Sequence, residues 1–309
     1  MQIRYTKWLI IKWCIEREKY KLKRLLKDVL ALIDYYLFRI GLKKEKIKVH
    51  SVEETIDELL NSNKSMVRFG DGEITMMRGR SLVLQKSNPQ LMEELKRIVG
   101  YQHEGLIVTL PDIFNGLDMY CRKSRFFWRD HLFFSRKTYE KYCDVSKTYY
   151  NTTISRFYIT LCDHDRSRQW IEKLKMVWKD KDIVIVEGEK THNGVGNDLL
   201  ASAKSIERII CPSSNAYAKL DELYNVCLTY GKDRLFLLSA GAAAKPLAEK
   251  LFLAGYRVLD IGNLDMEYEW FLAKATEKGP IAKHNVVGVL ANREAGYLEY
   301  LEQIKYRGE

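Results

Sequence analysis

Ser65-Met66-Val67-Arg68-Phe69-Gly70-Asp71-Gly72-Glu73 is the stretch from which the rest of the chain can be read. Residues 66–69 make an apolar run of the length of a buried strand, and that strand delivers two carboxylates, one residue apart, to the edge of a sheet. Hard divalent cations take oxygen ligands, so Asp71 and Glu73 suit a metal shared with a phosphate. Gly72 between them reads as a sharp turn that lets both acids face one ion. Arg68, two residues before Gly70, adds a fixed cation of the kind that pairs with phosphate oxygens. The competing explanation is a solvated turn after a strand, because an Asp-x-Glu tripeptide is common.

Outward from this stretch the sequence alternates short apolar runs with amphipathic ones. Helices are expected over residues 52–61, 89–99, 116–143, 168–178, 199–203, 216–230 and 244–254. Strands are expected over 66–69, 106–110, 183–186, 206–210, 235–238, 257–259 and 286–289. Ser51 and Glu54 have the spacing of a capping box at the start of the first of these helices. Strands alternating with ten-residue helices predict an α/β protein with a Rossmann-like, mostly parallel sheet flanked by helices. Residues 266–270 alternate in polarity and read as an edge strand with one acidic face.

Several blocks, in order, extend the Arg68–Glu73 motif: 111–114 (PDIF), 127–128 (FW), Asn151 with 154–156 (ISR), 185–188 (IVEG), 194–198 (GVGND), 260–262 (DIG) and 267–270 (EYEW). Together they resemble the bacterial GT-D fold glycosyltransferases over roughly residues 50 to 300. The resemblance implies a GT-D type fold, transfer of a sugar from a UDP-sugar donor to a glycan acceptor, and a divalent metal (Mn2+ or Mg2+) held at the Asp-x-Glu motif by Asp71 and Glu73. At Asn263 the chain departs from the histidine expected in that family's Gly-His-x-Asp pattern.

The remaining candidate positions follow from their places after strands. Gly194 and Gly196 free backbone N–H groups to approach a diphosphate or sugar, and Asn197 and Asp198 offer hydroxyl-recognising groups; a helix N-cap explains the same residues. Ser213 and Asn215 are placed to embrace the uracil or ribose. Gly241 sits in a strand, glycine, helix order whose helix N-terminus suits an anion, while no G-x-G-x-x-G follows any strand. Asp260 and Gly262 end another strand, where open α/β sheets place ligands. Arg156, beside the apolar run 157–161, joins Arg68 as a diphosphate ligand. Asp265 and Glu267 are the candidates for the carboxylate that takes the acceptor proton in an inverting transfer. Asp163-His164-Asp165 is a rival metal motif that a polar turn explains equally well.

Composition sets the outer bounds. The 309 residues are 46% hydrophobic, enough for a full core. Six scattered cysteines without a C-x-x-C pair, and six histidines without H-E-x-x-H, favour a reducing cytoplasm and offer no zinc site. No signal peptide or membrane span is expected, since charges interrupt every apolar stretch early.

Net charge is +10, but residues 1–48 hold 14 Lys or Arg against 5 Asp or Glu, and the remainder 37 against 36. Nucleic acid is therefore not expected, and the division is a basic, amphipathic helical extension over 1–48 and a catalytic domain over 49–309. Leu22, Leu25, Leu26, Val29, Ile33, Tyr36 and Leu37 form a helical stripe; Trp8, Trp13, Tyr20 and Tyr35 add rings suited to a lipid headgroup boundary. An anionic membrane surface on the inner face of the cytoplasmic membrane is one expected partner, and packing on the catalytic domain or a second subunit, giving a homo-oligomer, is the other. The functional expectation is a metal-dependent hexosyltransferase of surface polysaccharide or glycoconjugate synthesis, acting on a lipid-linked glycan or glycoprotein. The alternatives are a non-catalytic nucleotide- or carbohydrate-binding protein on the same fold and, disfavoured by the missing glycine fingerprint, a nucleotide-dependent oxidoreductase.

Overall fold

The computed structural model describes residues 2–101, 103–284 and 296–308, with the side chains of 2–11 and 14 left aside. The chain runs α1 (Gln2–Arg39), β1 (Lys48–Val49), α2 (Val52–Asn61), β2 (Ser65–Arg68), α3 (Asp71–Met77), α4 (Pro89–Val99), β3 (Leu106–Leu110) and α5 (Arg122–Tyr142). It continues through β4 (Thr148–Asn151), α6 (Ser167–Lys175), β5 (Asp182–Gly188), β6 (Ser205–Cys211), α7 (Leu220–Cys227), β7 (Leu235–Ser239), α8 (Ala244–Leu253), β8 (Arg257–Asp260), α9 (Leu264–Leu272), α10 (Tyr297–Gln303) and β9 (Ile304–Arg307). The expected strand 286–289 lies outside the described residues.

The nine strands among the described residues join one sheet in the order β1-β4-β3-β2-β8-β7-β5-β6-β9, and their pairings are parallel. Both faces of a parallel sheet are covered, which is why β3, β5 and β7 read as unbroken apolar runs rather than alternating ones. The central strands are buried along almost their whole length, with Val67, Ile183, Val184, Leu237 and Val258 fully enclosed. From β2 the chain moves to β3 on one side, whereas β8 is reached from β7 on the other. The two halves of the sheet thus meet at β2 and β8, and the crevice beyond their C-terminal ends is where such a fold places a ligand.

Several local readings need correction. Residues 266–270 belong to α9 and not to an edge strand; Leu264, Tyr268 and Trp270 recur at helical spacing and are buried. Residues 199–203 form a turn, and 157–161 an irregular segment bridged to Tyr120 only at Leu161. The helix expected from 116 begins at Arg122, and the 216–230 helix is a 3-10 turn (Ala216–Lys219) followed by the shorter α7. Gly72 does not make a turn: it lies inside α3. The capping box of α2 is present as expected, Ser51 Oγ accepting from Glu54 N–H and Glu54 Oε2 from Ser51 N–H.

Candidate active site

β2 ends at Arg68, and α3 starts at Asp71 without a side-chain cap from Gly70. Glu73 fills that role, its Oε2 accepting the Gly70 N–H at 2.7 Å. Its Oε1 lies 2.8 Å from Nζ of Lys245, a fully buried lysine from the first turn of α8. The ammonium also meets Asp260 Oδ2 at 3.1 Å and donates to the Gly241 carbonyl at 3.1 Å. Asp260, at the end of β8, takes the Arg68 N–H on Oδ2 and the Gly262 N–H on Oδ1. Burial opposes the charge on Glu73, but Lys245, Arg68 and the Gly70 N–H outweigh it and hold the carboxyl at about 2.

Asp71 behaves oppositely. It reaches solvent, yet the protein around its carboxyl and the neighbouring Glu73 charge raise its pKa, with Arg156 and Arg68 only partly compensating. Two crowded carboxylates of this kind attract a cation. Among the described residues no group of three or more His, Cys, Asp or Glu is placed to hold a metal ion. A metal here would draw on the carboxylates of Asp71 and Glu73, the latter already meeting Lys245 Nζ and the Gly70 N–H, and complete its shell with phosphate and water. That is the usual arrangement for a cation that binds with a nucleotide, so the donor set fits.

Three further cations lie near the acids. Arg68 Nε is buried without a hydrogen-bond partner, and its guanidinium fills the space over Gly262, where an added Cβ would lie 2.4 Å from Nη2. Gly262 has φ +52, so this close approach and its left-handed backbone both require glycine. Arg156 Nη1 lies 3.4 Å from Glu267 Oε2, and burial, together with repulsion from Arg68, lowers its pKa. Lys278, which sequence reasoning passed over, is the third; burial and Arg156 lower its pKa, while Glu267 and Asp71 work the other way. No motif marks it, since a lone lysine in a polar stretch carries no pattern.

Other expected site residues are gathered differently. Glu267 Oε1 accepts the N–H groups of Tyr158 and Ile159, at 2.9 and 2.7 Å, and its Oε2 faces Arg156. Asp265, two residues earlier on α9, accepts from Gly194 N–H, Asn197 Nδ2, Lys283 and His284. Burial raises its pKa, but His284, Lys283 and Asn197 together bring it below the usual range. Every oxygen of the two proposed bases is thus met by an internal donor. The same contacts absorb the 194–198 loop. The Gly194 N–H serves Asp265, Asn197 also binds Glu269 and caps Leu199, and Asp198 binds Lys175 and Tyr268. Gly196 (φ +74) is a backbone requirement of this loop. The Gly194 N–H and the side chains of Asn197 and Asp198 thus have their partners within the protein.

Asn215, in the left-handed region at φ +54, accepts the Lys86 N–H and donates its own N–H to Leu84, so it pins the loop after α3. That loop lays Leu82 against Gly72, where a Cβ would meet it at 3.1 Å. Ser213 Oγ reaches Glu189 at 3.4 Å, and Gly241 (φ +58) has open space where a side chain would be. In the rival motif, Asp163 Oδ1 accepts the Asp165 N–H in an exposed turn. Asn263 immediately precedes α9 without a side-chain cap hydrogen bond.

A parallel sheet with paired acids and clustered cations at the junction of its halves is the arrangement in which the α/β class binds ligands. Residues 66–288 match the family described as Glycosyltransferase GT-D fold. The chain is 41% identical over 237 residues to a "Probable glycosyl transferase Gly" of Streptococcus gordonii, covering 76% of this chain and 35% of that protein. It is 38% identical over 257 residues to a "Glycosyltransferase GlyD" of Streptococcus pneumoniae, covering 83% and 31%. The chain thus spans about a third of the length of these curated relatives. A solved structure, "A New Glycosyltransferase (DUF1792) from Streptococcus sanguinis", superposes with a TM-score of 0.79 at 39% identity, over 85% of this chain and 100% of that one. A second, described as a domain of unknown function 1792 with a distinct glycosyltransferase fold, gives 0.79 at 38%, over 85% and 96%. The chain belongs to the GT-D fold glycosyltransferase family.

Proposed function

We propose that this chain transfers a hexose from a UDP-sugar to a saccharide acceptor, a lipid-linked glycan or glycoprotein, in the synthesis of a bacterial surface polysaccharide or glycoconjugate. The observation that carries this reading is Arg68, whose buried Nε lacks a partner while its guanidinium occupies the crevice between β2 and β8 beside Asp71 and Arg156. A buried donor of this kind asks for an anion, and a diphosphate supplies one.

In this reading Arg68 and Arg156 pair with the diphosphate, and Lys278 adds a third charge as it leaves. Asp71 and Glu73 would hold the divalent metal, which when bound neutralises charge on the departing phosphate. Lys245 and the Gly70 N–H keep Glu73 ionised and fixed in place. Asp265 and Glu267 act through structure, holding the 194–198 loop and the 157–159 segment that shape the crevice.

The proton-accepting role in an inverting transfer passes to Asp112, in the loop directly after β3, the strand beside β2. Burial pushes its carboxyl up to about 6, close to what a general base requires. Incubation with a panel of UDP-sugars, with Mn2+ or Mg2+ and with a saccharide acceptor, tests the reading by release of UDP. A protein that binds UDP-sugar without releasing UDP under any of these conditions is a binding protein on this fold, and the proposal fails.

A further inference from the structure

α1 contacts the rest of the protein through one face and leaves its apolar stripe on the other. Ala31 is buried, the Phe38 ring stacks under the Arg136 guanidinium at 3.6 Å, Asp34 faces Arg136 at 3.7 Å, and Lys27 lies over the Phe134 ring at 5.7 Å. Arg39 adds an ion pair with Asp118 at 2.8 Å. At about 100° per residue, Lys27, Ala31, Asp34 and Phe38 share one side of the helix, and Leu22, Leu25, Leu26, Val29, Ile33 and Tyr36 lie roughly opposite. All six of the latter are exposed, from 43% for Val29 to 68% for Leu22. No helix among the described residues is long and apolar enough to cross a membrane.

α5 continues this surface. Phe126 and Phe134 are about half exposed, Phe126 lies beside Arg122 and Arg129, and Phe126, Arg129 and Asp130 line a groove shared with Arg24, Asp28, Val29 and Leu32 of α1. α5 carries seven Lys or Arg against Asp130 and Glu140, in addition to the excess of basic residues in 1–48. Two copies of so basic a surface would repel, whereas an anionic lipid surface satisfies both the charge and the apolar rings. α5 also reaches the crevice: α3, whose first turn carries Asp71 and Glu73, packs on it, and Arg78 donates to Ser135 Oγ at 3.3 Å.

We propose that α1 and α5 together form one docking surface for an anionic membrane, with the α1 stripe and Phe126 and Phe134 entering the headgroup boundary between flanking Lys and Arg side chains. α1 is then a foot held away from the sheet, and α5 is the rigid strut that sets the β2/β8 crevice at a fixed height above the lipid. The consequence for a lipid-linked acceptor rests on the sugar transfer proposed above; membrane docking itself does not.

The test uses the full chain and flotation with vesicles of phosphatidylcholine alone or with phosphatidylglycerol. Binding is expected only to the latter and is expected to weaken as salt rises. Leu22→Asp with Leu26→Asp in α1, and separately Phe126→Asp with Phe134→Asp in α5, should each weaken binding roughly tenfold or more, because apolar area is lost and negative charge meets negative headgroups. Circular dichroism checks that these exposed positions leave the fold intact. If the α5 pair binds like wild type, the joint surface is wrong even where α1 binds. Equal binding to both vesicle types, or no vesicle binding together with a dimer in sedimentation that Leu22→Asp with Leu26→Asp dissolves, overturns the proposal. Normal vesicle binding by a protein that releases no UDP sinks the transferase reading and leaves this one standing.

Discussion

Lys245 Nζ sits 2.8 Å from Glu73 Oε1 and 3.1 Å from Asp260 Oδ2, so one buried ammonium ties α3 to β8 across the junction of the two sheet halves. A buried ion pair of this kind contributes little net stability against an apolar replacement, but removing one partner leaves an uncompensated charge. Its use is positional. It keeps Glu73 ionised and pointed at the N-terminus of α3 while Asp71 is left facing the crevice.

Glu73→Gln is therefore expected to lower sugar transfer by about a hundredfold or more, through loss of a metal oxygen and of the charge that balances Lys245. Asp163→Asn, in the exposed rival turn, should transfer sugar at the wild-type rate. Steady-state UDP release by folded variants checks both, and a reversed pattern would move the site.

Acid stability follows from the same carboxyl. Glu73 has a folded pKa of about 2 against an ordinary 4.5, so its contribution is fully present above about 4.5 and is lost as pH falls toward 2. The contribution is on the order of 3 kcal/mol. Thermal melts of wild type between pH 5 and pH 2.5 should show a steep loss that Glu73→Gln lacks, the variant starting lower and falling less.

Asp71 has the opposite sign. Its raised pKa means that ionisation costs the folded state stability as pH rises past the ordinary carboxylate range. Asp71→Asn should thus melt higher than wild type at neutral pH while transferring sugar far more slowly. Adding Mn2+ should raise the melting temperature of wild type and leave Asp71→Asn nearly unmoved. An equal shift in both proteins would place the cation elsewhere.

Arg156→Ala should raise the apparent donor KM with a smaller change in kcat, because the guanidinium is proposed to bind the diphosphate in ground and transition states alike. Arg156→Lys should recover only part, since a point charge cannot bind bidentately. Donor titrations separate this from a purely structural ion pair with Glu267, for which KM would stay constant.

Asp112, with its pKa pushed up to about 6, predicts that kcat/KM falls as pH drops below about 6 and levels off above it. Asp112→Asn should remove that limb together with most of the activity. A pH–rate profile of Asp112→Asn that keeps the wild-type shape would return the base to another group.

Much of this protein follows from local chemistry. The apolar runs that became β2, β3, β5, β6, β7 and β8, the capping box of α2, and the sugar-transferase signature from Arg68 to Glu73 are all legible because period, cap spacing and motif order are properties of neighbours in the chain. The short strands β1 and β9 at the two edges, and β4 beside β1, carry no such period and were not expected. Residues 266–270 misled for a physical reason. Over five residues an alternating pattern fits a strand as well as a helix, and only packing against the 157–159 segment and the 194–198 loop chose α9. The roles of the acids were likewise beyond local reading. Asp71, Glu73, Asp265 and Glu267 look alike in sequence, and what separates them is the company brought by the fold: Lys245 to Glu73, Lys283 and His284 to Asp265, two backbone N–H groups to Glu267. A carboxylate's charge state and freedom are set by groups within a few ångströms, and those groups arrive from up to 172 positions away, as Lys245 does to Glu73.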